Sequence, residues 1–263
     1  MSFVRPPAVA GTFYPAEPAA LRRTVAALLA EAPAVGPAPK AVVAPHAGYP
    51  YSGPVAASAF ARAAAAREVV RRVVLLGPAH HVPFRGVAAS GAAAFDTPLG
   101  RVRVDAEGVR EALGVAGVRL FDAAHAPEHS LETHLPFLQA VLGDFAVVPL
   151  VVGDAAPEEV RRVLDALWGG AETFVSVSSD LSHFLDYATA RRVDADTCRA
   201  VEALEAQAVG PERACGRIPL CGLLLAARGR GMRVETLDLR SSGDTAGPAD
   251  RVVGYGAWAF FEP

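Results

Sequence analysis

Residues 73–81 read VVLLGPAHH: four apolar positions, two of them β-branched, run into a Gly-Pro break and end on paired histidines. A continuous apolar run of this length, bounded by turn residues, suits a strand buried on both faces. In open α/β sheets, ligands and reactive groups gather beyond the carboxyl ends of such strands. His80 and His81 therefore stand at the lip of a candidate site, and the rest of the chain is read for what else arrives there.

Working outward, Ala41–Ala44 is a short apolar strand that ends in PHAGYPYSG, with His46 just past it. Thr173–Ser178 is a further strand, and it ends at Asp180 and His183. Met232–Leu239 alternates as a strand and leads into the turn-rich RSSGDTAGP, which holds Asp244. Phe145–Val152 is another buried strand, and Val252–Phe261 the last, where Gly-Tyr-Gly predicts a bulge or a close backbone approach. Residues 86–104 read as short strands around turns, an antiparallel meander. Helices are expected at about Pro18–Ala32, Pro54–Ala66, Asp105–Leu113, Ser130–Gly143, Pro157–Trp168, Ala188–Ala206 and Pro219–Ala227. Strands alternating with helices predict an α/β protein: one three-layer α/β/α domain over residues 1–263, with a central mixed, mostly parallel sheet.

Bulk properties narrow the function. The chain has 263 residues, 52% of them apolar and 20% charged, enough for a substantial core and far from disorder. A net charge of −3 gives no electrostatic footprint for nucleic acid or an anionic membrane. No apolar run approaches the roughly 18 residues of a membrane span. The N-terminus has no signal-peptide core, since Arg5, Pro6 and Pro7 interrupt it, so the cytoplasm is the default location. Cys198, Cys215 and Cys221 are odd in number and form no C-x-x-C pair, so all three are read as small hydrophobes on helices.

Taken singly, each strand-end residue has a bland reading: a turn histidine, or an aspartate capping a turn. Seven histidines, six of them in short clusters beside carboxylates, shift the balance for the group. Glu128, His129, Glu132 and His134 crowd one helix start, and Glu132 is within reach of the same cleft; His125 reads as a surface residue. Two neutral imidazoles and a carboxylate bind a non-haem Fe(II) or another divalent metal, and a further histidine moves protons near neutral pH. There is no G-x-S-x-G elbow, no Walker loop and no G-x-G-x-x-G after a strand.

Five stretches in order, APHAGYPYSG, LGPAHHVP, EHSLETHLPFL, VSSDLSHF and SSGD…VVGYGAWAF, resemble the MEMO family across essentially the whole chain. The resemblance implies a fold like that of class III extradiol dioxygenases, which hold Fe(II) with two histidines and a carboxylate. Carried over by motif, it implies His46, His81 and Asp244 as metal ligands, with copper or zinc as alternatives to iron. Asp180 and His183 match cleft residues, His183 as the acid/base, and His80 becomes a neighbour of the ligands. The family's animal members are described as signalling adaptors and as redox or iron-binding proteins. Its prokaryotic members are named for a system with a radical-SAM protein and an AMMECR1-type protein. Three functions follow: a dioxygenase-like oxidoreductase acting on an unidentified small molecule, a metal-dependent hydrolase, or a non-catalytic module that captures a peptide. Tyr14, Tyr49 and Tyr51 would serve the last.

Overall fold

The apolar runs that define the sequence pattern become strands packed on both faces. The computed structural model describes residues 3–33 and 35–263. Its strands are β1 (Val4–Arg5), β2 (Ala41–Ala44), β3 (Arg72–Pro78), β4 (Val87–Ala89), β5 (Ala94–Thr97), β6 (Gly100–Val104), β7 (Val118–Leu120), β8 (Ala146–Val152), β9 (Thr173–Ser178), β10 (His183–Leu185), β11 (Arg233–Ser241) and β12 (Val252–Phe261). The helices are α1 (Pro18–Glu31), α2 (Tyr49–Ala63), α3 (Ala106–Leu113), α4 (Asp122–His125), α5 (Leu135–Val141), α6 (Pro157–Leu167), α7 (Tyr187–Glu202) and α8 (Arg217–Gly229).

The middle of the sheet runs β6-β8-β3-β9-β2, all parallel. Antiparallel strands flank it: β12 pairs with β2, and β11 and β10 with β12. At the other side β5 and β6 form a hairpin, but β4 pairs with β7 and β8 instead of β5, so of the meander expected over 86–104 only that hairpin forms. Alternation along β3 divides the core. Val73 and Leu75 face α1, α2 and α5 through Leu21, Phe60 and Phe137. Val74 and Leu76 face α3, α6, α7 and α8 through Val109, Leu164, Val201 and Leu224. The result is the helix–sheet–helix sandwich read from the sequence. Burying each such side chain contributes about 1.5–3 kcal/mol.

Three local differences from the sequence reading have simple causes. Helix α2 begins at Tyr49 rather than Pro54, because Pro50 occupies its first turn, where a missing N–H costs nothing. Pro54 is thereby carried inside the helix. The stretch read as one helix from Ser130 starts instead as a 3-10 turn, Glu132–His134, before α5. Pro136 cannot donate to the Glu132 carbonyl, so the chain enters α5 through a 3-10 turn, with Pro136 in the first turn of the helix, where the missing N–H costs nothing. Gly254–Gly256 pair regularly with Leu239–Ser241, and the register shift lies across from Ala257–Trp258, between Thr236 and Asp238. Close approach explains Gly254, since a Cβ there would lie 1.9 Å from Asp194 Oδ2. Among the described residues, no helix is long and apolar enough to cross a membrane.

Candidate metal centre

Adjacent parallel strands β3, β9 and β2 deliver their C-terminal loops to one edge, and with them His80, Asp180 and His46. His46 is 2% exposed, and its backbone N–H donates to Asp180 Oδ1 at 2.8 Å. Its Nδ1 lies 2.6 Å from Ser178 Oγ. The Ser178 hydroxyl donates its own hydrogen to the Ser130 carbonyl at 2.7 Å, so its oxygen must accept from His46 Nδ1–H. This network assigns the tautomer and leaves Nε2 with its lone pair free. Burial holds the His46 pKa well below its ordinary value, with His80 and His129 adding to the effect. The ring is neutral, as a ligand requires.

His80 is held by a different partner. Its backbone N–H donates to Glu128 Oε2 at 2.6 Å and its Nδ1 lies 2.8 Å from Glu128 Oε1. Burial works against ionisation of Glu128, but hydrogen bonds from His80 and the backbone of Ser130 win and bring its pKa down to about 2. An ionised carboxylate only accepts, so Nδ1 of His80 carries a proton there and Nε2 is the ring nitrogen left over for a ligand.

The third member is a cysteine. Cys215 lies in the loop before α8, with Sγ 3.3 Å from His46 Nε2. Its backbone N–H donates to the Asp180 carbonyl at 3.2 Å, and the Asp180 N–H donates to Sγ at 3.3 Å. Gly216 permits this contact, because a Cβ there would lie 2.4 Å from the Ser178 carbonyl. Burial, reinforced by the Asp180 charge, pushes the Cys215 thiol pKa far up. A bound cation would reverse that, since a coordinating thiol deprotonates. The ligand atoms of His46, His80 and Cys215 all lie within 4.8 Å of one another. Ligands around one tetrahedral ion are separated by roughly 3.5 Å, so the donor set and its spacing fit a metal.

Comparison with known proteins agrees with this architecture. The family model described as "Memo-like protein" matches residues 5–259. A MEMO1 family protein of Methanopyrus kandleri is 36% identical over 97% of this chain and 98% of its own length. Those of Aquifex aeolicus and Ignicoccus hospitalis are 33% and 35% identical, over 96% and 98% of this chain and 97% and 98% of their own lengths. The chain belongs to the Memo-like family.

In this Memo-like protein the residues singled out from the sequence separate into groups. His46, Asp180 and His183 remain near one another. Burial raises the Asp180 carboxyl to about 6, against the pull of the His46 N–H and of His183. His183 has Nδ1 2.8 Å from the Leu181 carbonyl, so that nitrogen carries the proton, and the residue lines a cavity of about 480 Å³ with Leu185, Arg213 and Cys215. His81 is not beside His46. The chain bends after β3 ends at Pro78, and it is the ring of His80, 5.0 Å from that of His46, that reaches the inner set, although both histidines are exposed; His81 has Nε2 3.4 Å from His129 Nδ1. Asp244 belongs neither to the His46–His80–Cys215 donor set nor to the second cluster, formed by His80, Glu128 and His129. It follows β11, which lies two strands out from β2, roughly 10 Å by ordinary strand spacing. Its carboxylate accepts from Tyr187 Oη at 2.5 Å and from the Ser241 N–H at 2.8 Å.

The other polar residues of these motifs serve packing. Glu132 does not face the cleft: it accepts from Arg5, the Ala8 and Val9 N–H groups and Tyr14 Oη. His134 spends both ring nitrogens on Ser176 Oγ and the Pro45 carbonyl. His125, read as a surface residue, is 2% exposed and bonded to the Ala88 carbonyl. Tyr14 and Tyr49 are buried, and only Tyr51 of the three tyrosines is open to a partner. Cys198 and Cys221 sit in the core of α7 and α8 as expected, whereas Cys215 is the one the sequence reading missed. Its available signal is the C-G step at a helix entry, a small residue forced by close packing next to a thiol.

Proposed function

We propose that this protein is a mononuclear metalloprotein whose ion is held by His46, His80 and Cys215, and that it performs redox chemistry on a small molecule at that centre. One observation carries the reading: both imidazoles have Nδ1 committed to a fixed acceptor, Ser178 for His46 and Glu128 for His80, which leaves two Nε2 lone pairs beside one sulfur. Two imidazoles and a thiolate form a softer set than two histidines and a carboxylate, and they suit iron(II), copper or zinc. Iron is the preferred assignment, because the family's likeness to ring-cleaving dioxygenases supports it; such an ion supplies Lewis acidity and one-electron chemistry.

The remaining steps belong to the chain. Asp180, with its pKa near 6, exchanges a proton close to neutral pH while its Oδ1 holds the His46 backbone. His183, its Nδ1 proton fixed on Leu181, offers Nε2 as the acceptor beside the cavity next to Cys215. A substrate in that cavity would lie beside His183 and Cys215.

Elemental analysis of anaerobically purified protein tests the ligand assignment. Wild type and Asp244→Asn are expected to retain about one ion per chain, and His80→Ala and Cys215→Ser to lose it. Undiminished metal in Cys215→Ser would remove the sulfur from the set. Oxygen uptake by the iron form, absent from the zinc form, separates redox chemistry from hydrolysis.

A further inference from the structure

The mouth of the cleft holds a second pair of imidazoles whose nitrogens have no strong partner. Nε2 of exposed His81 and Nδ1 of half-buried His129 are 3.4 Å apart. That is longer than the roughly 2.9–3.0 Å of an ordinary N–H hydrogen bond. It equals the separation, about 3.4 Å, of two nitrogens bound at about 2.0–2.1 Å to one tetrahedral ion. The alternative partner for His129 Nδ1 is Glu128 Oε1, at 3.5 Å. That oxygen already faces Nδ1 of His80 and accepts from the His129 and Ser130 N–H groups, all at 2.8–2.9 Å. It has no lone pair left to direct at His129, but its charge remains close by.

The ring of His129 is also held in place. His80 stacks on it with centroids 4.6 Å apart, and Phe13 packs against it at 4.8 Å. Only His81 must settle to complete the pair, so little conformational entropy opposes binding.

We propose that His81 and His129 form a second, solvent-facing metal site that takes a divalent late transition cation such as Zn²⁺ or Ni²⁺, separate from the His46–His80–Cys215 set and outside it. Imidazole suits these ions. Two protein ligands leave the remaining positions to water, so the ion is held more weakly and exchanges faster than an inner ion. His46 is almost wholly enclosed, and an ion bound at His129 is one stacked ring away from the inner ligand His80. The outer pair is thus a stopping point for metal moving between solvent and the inner set.

The test is calorimetric titration of metal-free full-length protein with Zn²⁺ near pH 7.5, on wild type, His81→Gln, His129→Gln and Cys215→Ser. Wild type should bind two ions in two classes. His81→Gln and His129→Gln should each weaken the looser class at least tenfold and leave the tight one unchanged, while Cys215→Ser should do the reverse. Two results overturn the proposal: a single ion in wild type that Cys215→Ser abolishes, or a looser class that survives both histidine substitutions. A single class that His81→Gln abolishes and Cys215→Ser leaves intact would support the outer site and sink the inner one.

Discussion

Glu128 and Glu132 stand four residues apart, each is at most 2% exposed, and each gathers donors from three or more residues. By burial and hydrogen-bond number they are alike. They differ in whom they hold. Glu132 ties the N-terminal segment, through Arg5, Ala8, Val9 and Tyr14, to the body of the fold. Glu128 fixes the ring and backbone of His80 in the cleft. A buried carboxylate is therefore no sign of a site by itself; the sign is a carboxylate whose partner still has a donor atom to spare.

The sharpest way to break this contrast is Glu132→Ala. It strands the Arg5 guanidinium, 3% exposed, without its counter-charge. Removing one partner of such a buried pair costs about 3–5 kcal/mol. Urea unfolding should show a loss of that size, while the metal content of the folded protein stays unchanged. A loss below about 1 kcal/mol would mean that the segment is not anchored by Glu132.

Glu128→Ala should show the opposite emphasis. Removing a carboxylate that orients a ligand histidine typically weakens metal binding by about 10–100-fold. Competition with a chromophoric chelator measures this, and Glu128→Gln, which keeps an acceptor oxygen, should fall between. Equal affinity in wild type and Glu128→Ala would dissolve the distinction between the two glutamates.

The sequence showed the strands well and the parity of their ends badly. β2 and β3 are buried on both faces and read as apolar runs, and β9, equally buried, reads as the strand TFVSVS with serines at 176 and 178; their ends located His46, the His80–His81 pair and Asp180. Which of the paired histidines turns inward depends on the backbone path after Gly77-Pro78, and no composition encodes it. Asp244 follows a strand end on the same edge of the sheet, but lateral position depends on pairing order, here β11 outside β12. Cys215 was invisible because a loop thiol gains meaning only from what packs on it, in this case His46 and Asp180. Glu132 and His134 carried the same motif signature as Glu128 and His129, yet the 3-10 turn at 132–134 directs them into the core.

Acid titration sharpens the comparison on a smaller scale. The Glu128 pKa falls from 4.5 to about 2 on folding, so its contribution is fully present above the unfolded value and is lost as pH falls toward 2. Between pH 5 and 3 the loss should come to about 1–2 kcal/mol. His134 acts in the same direction but higher: burial holds its pKa near 4 instead of 6.5, so protonation favours the unfolded chain as pH drops between those values. Urea midpoints across pH 7 to 3 should show two components. Glu128→Gln should flatten the lower one, and His134→Gln should reduce the upper one, to which buried His46, His125 and His129 also contribute; a profile unchanged in Glu128→Gln would mean that this carboxylate is not ionised below its ordinary range.

The smallest expected effect falls on Ser178, which does for His46 with a neutral hydroxyl what Glu128 does for His80 with a charge. Ser178→Ala removes the acceptor that pins the Nδ1–H tautomer. It also leaves the Ser130 carbonyl without its donor, at a cost of about 1 kcal/mol in stability. Metal affinity should drop about tenfold, the lower end of what an outer partner contributes, because no charge is lost. ¹⁵N NMR of the imidazoles in metal-free protein gives the direct reading. Wild type should show His46 protonated at Nδ1 alone, and Ser178→Ala a mixture of tautomers. If the variant keeps the wild-type tautomer, the Cys215 sulfur, 3.3 Å from Nε2, is what sets the ring, and the serine only fills space.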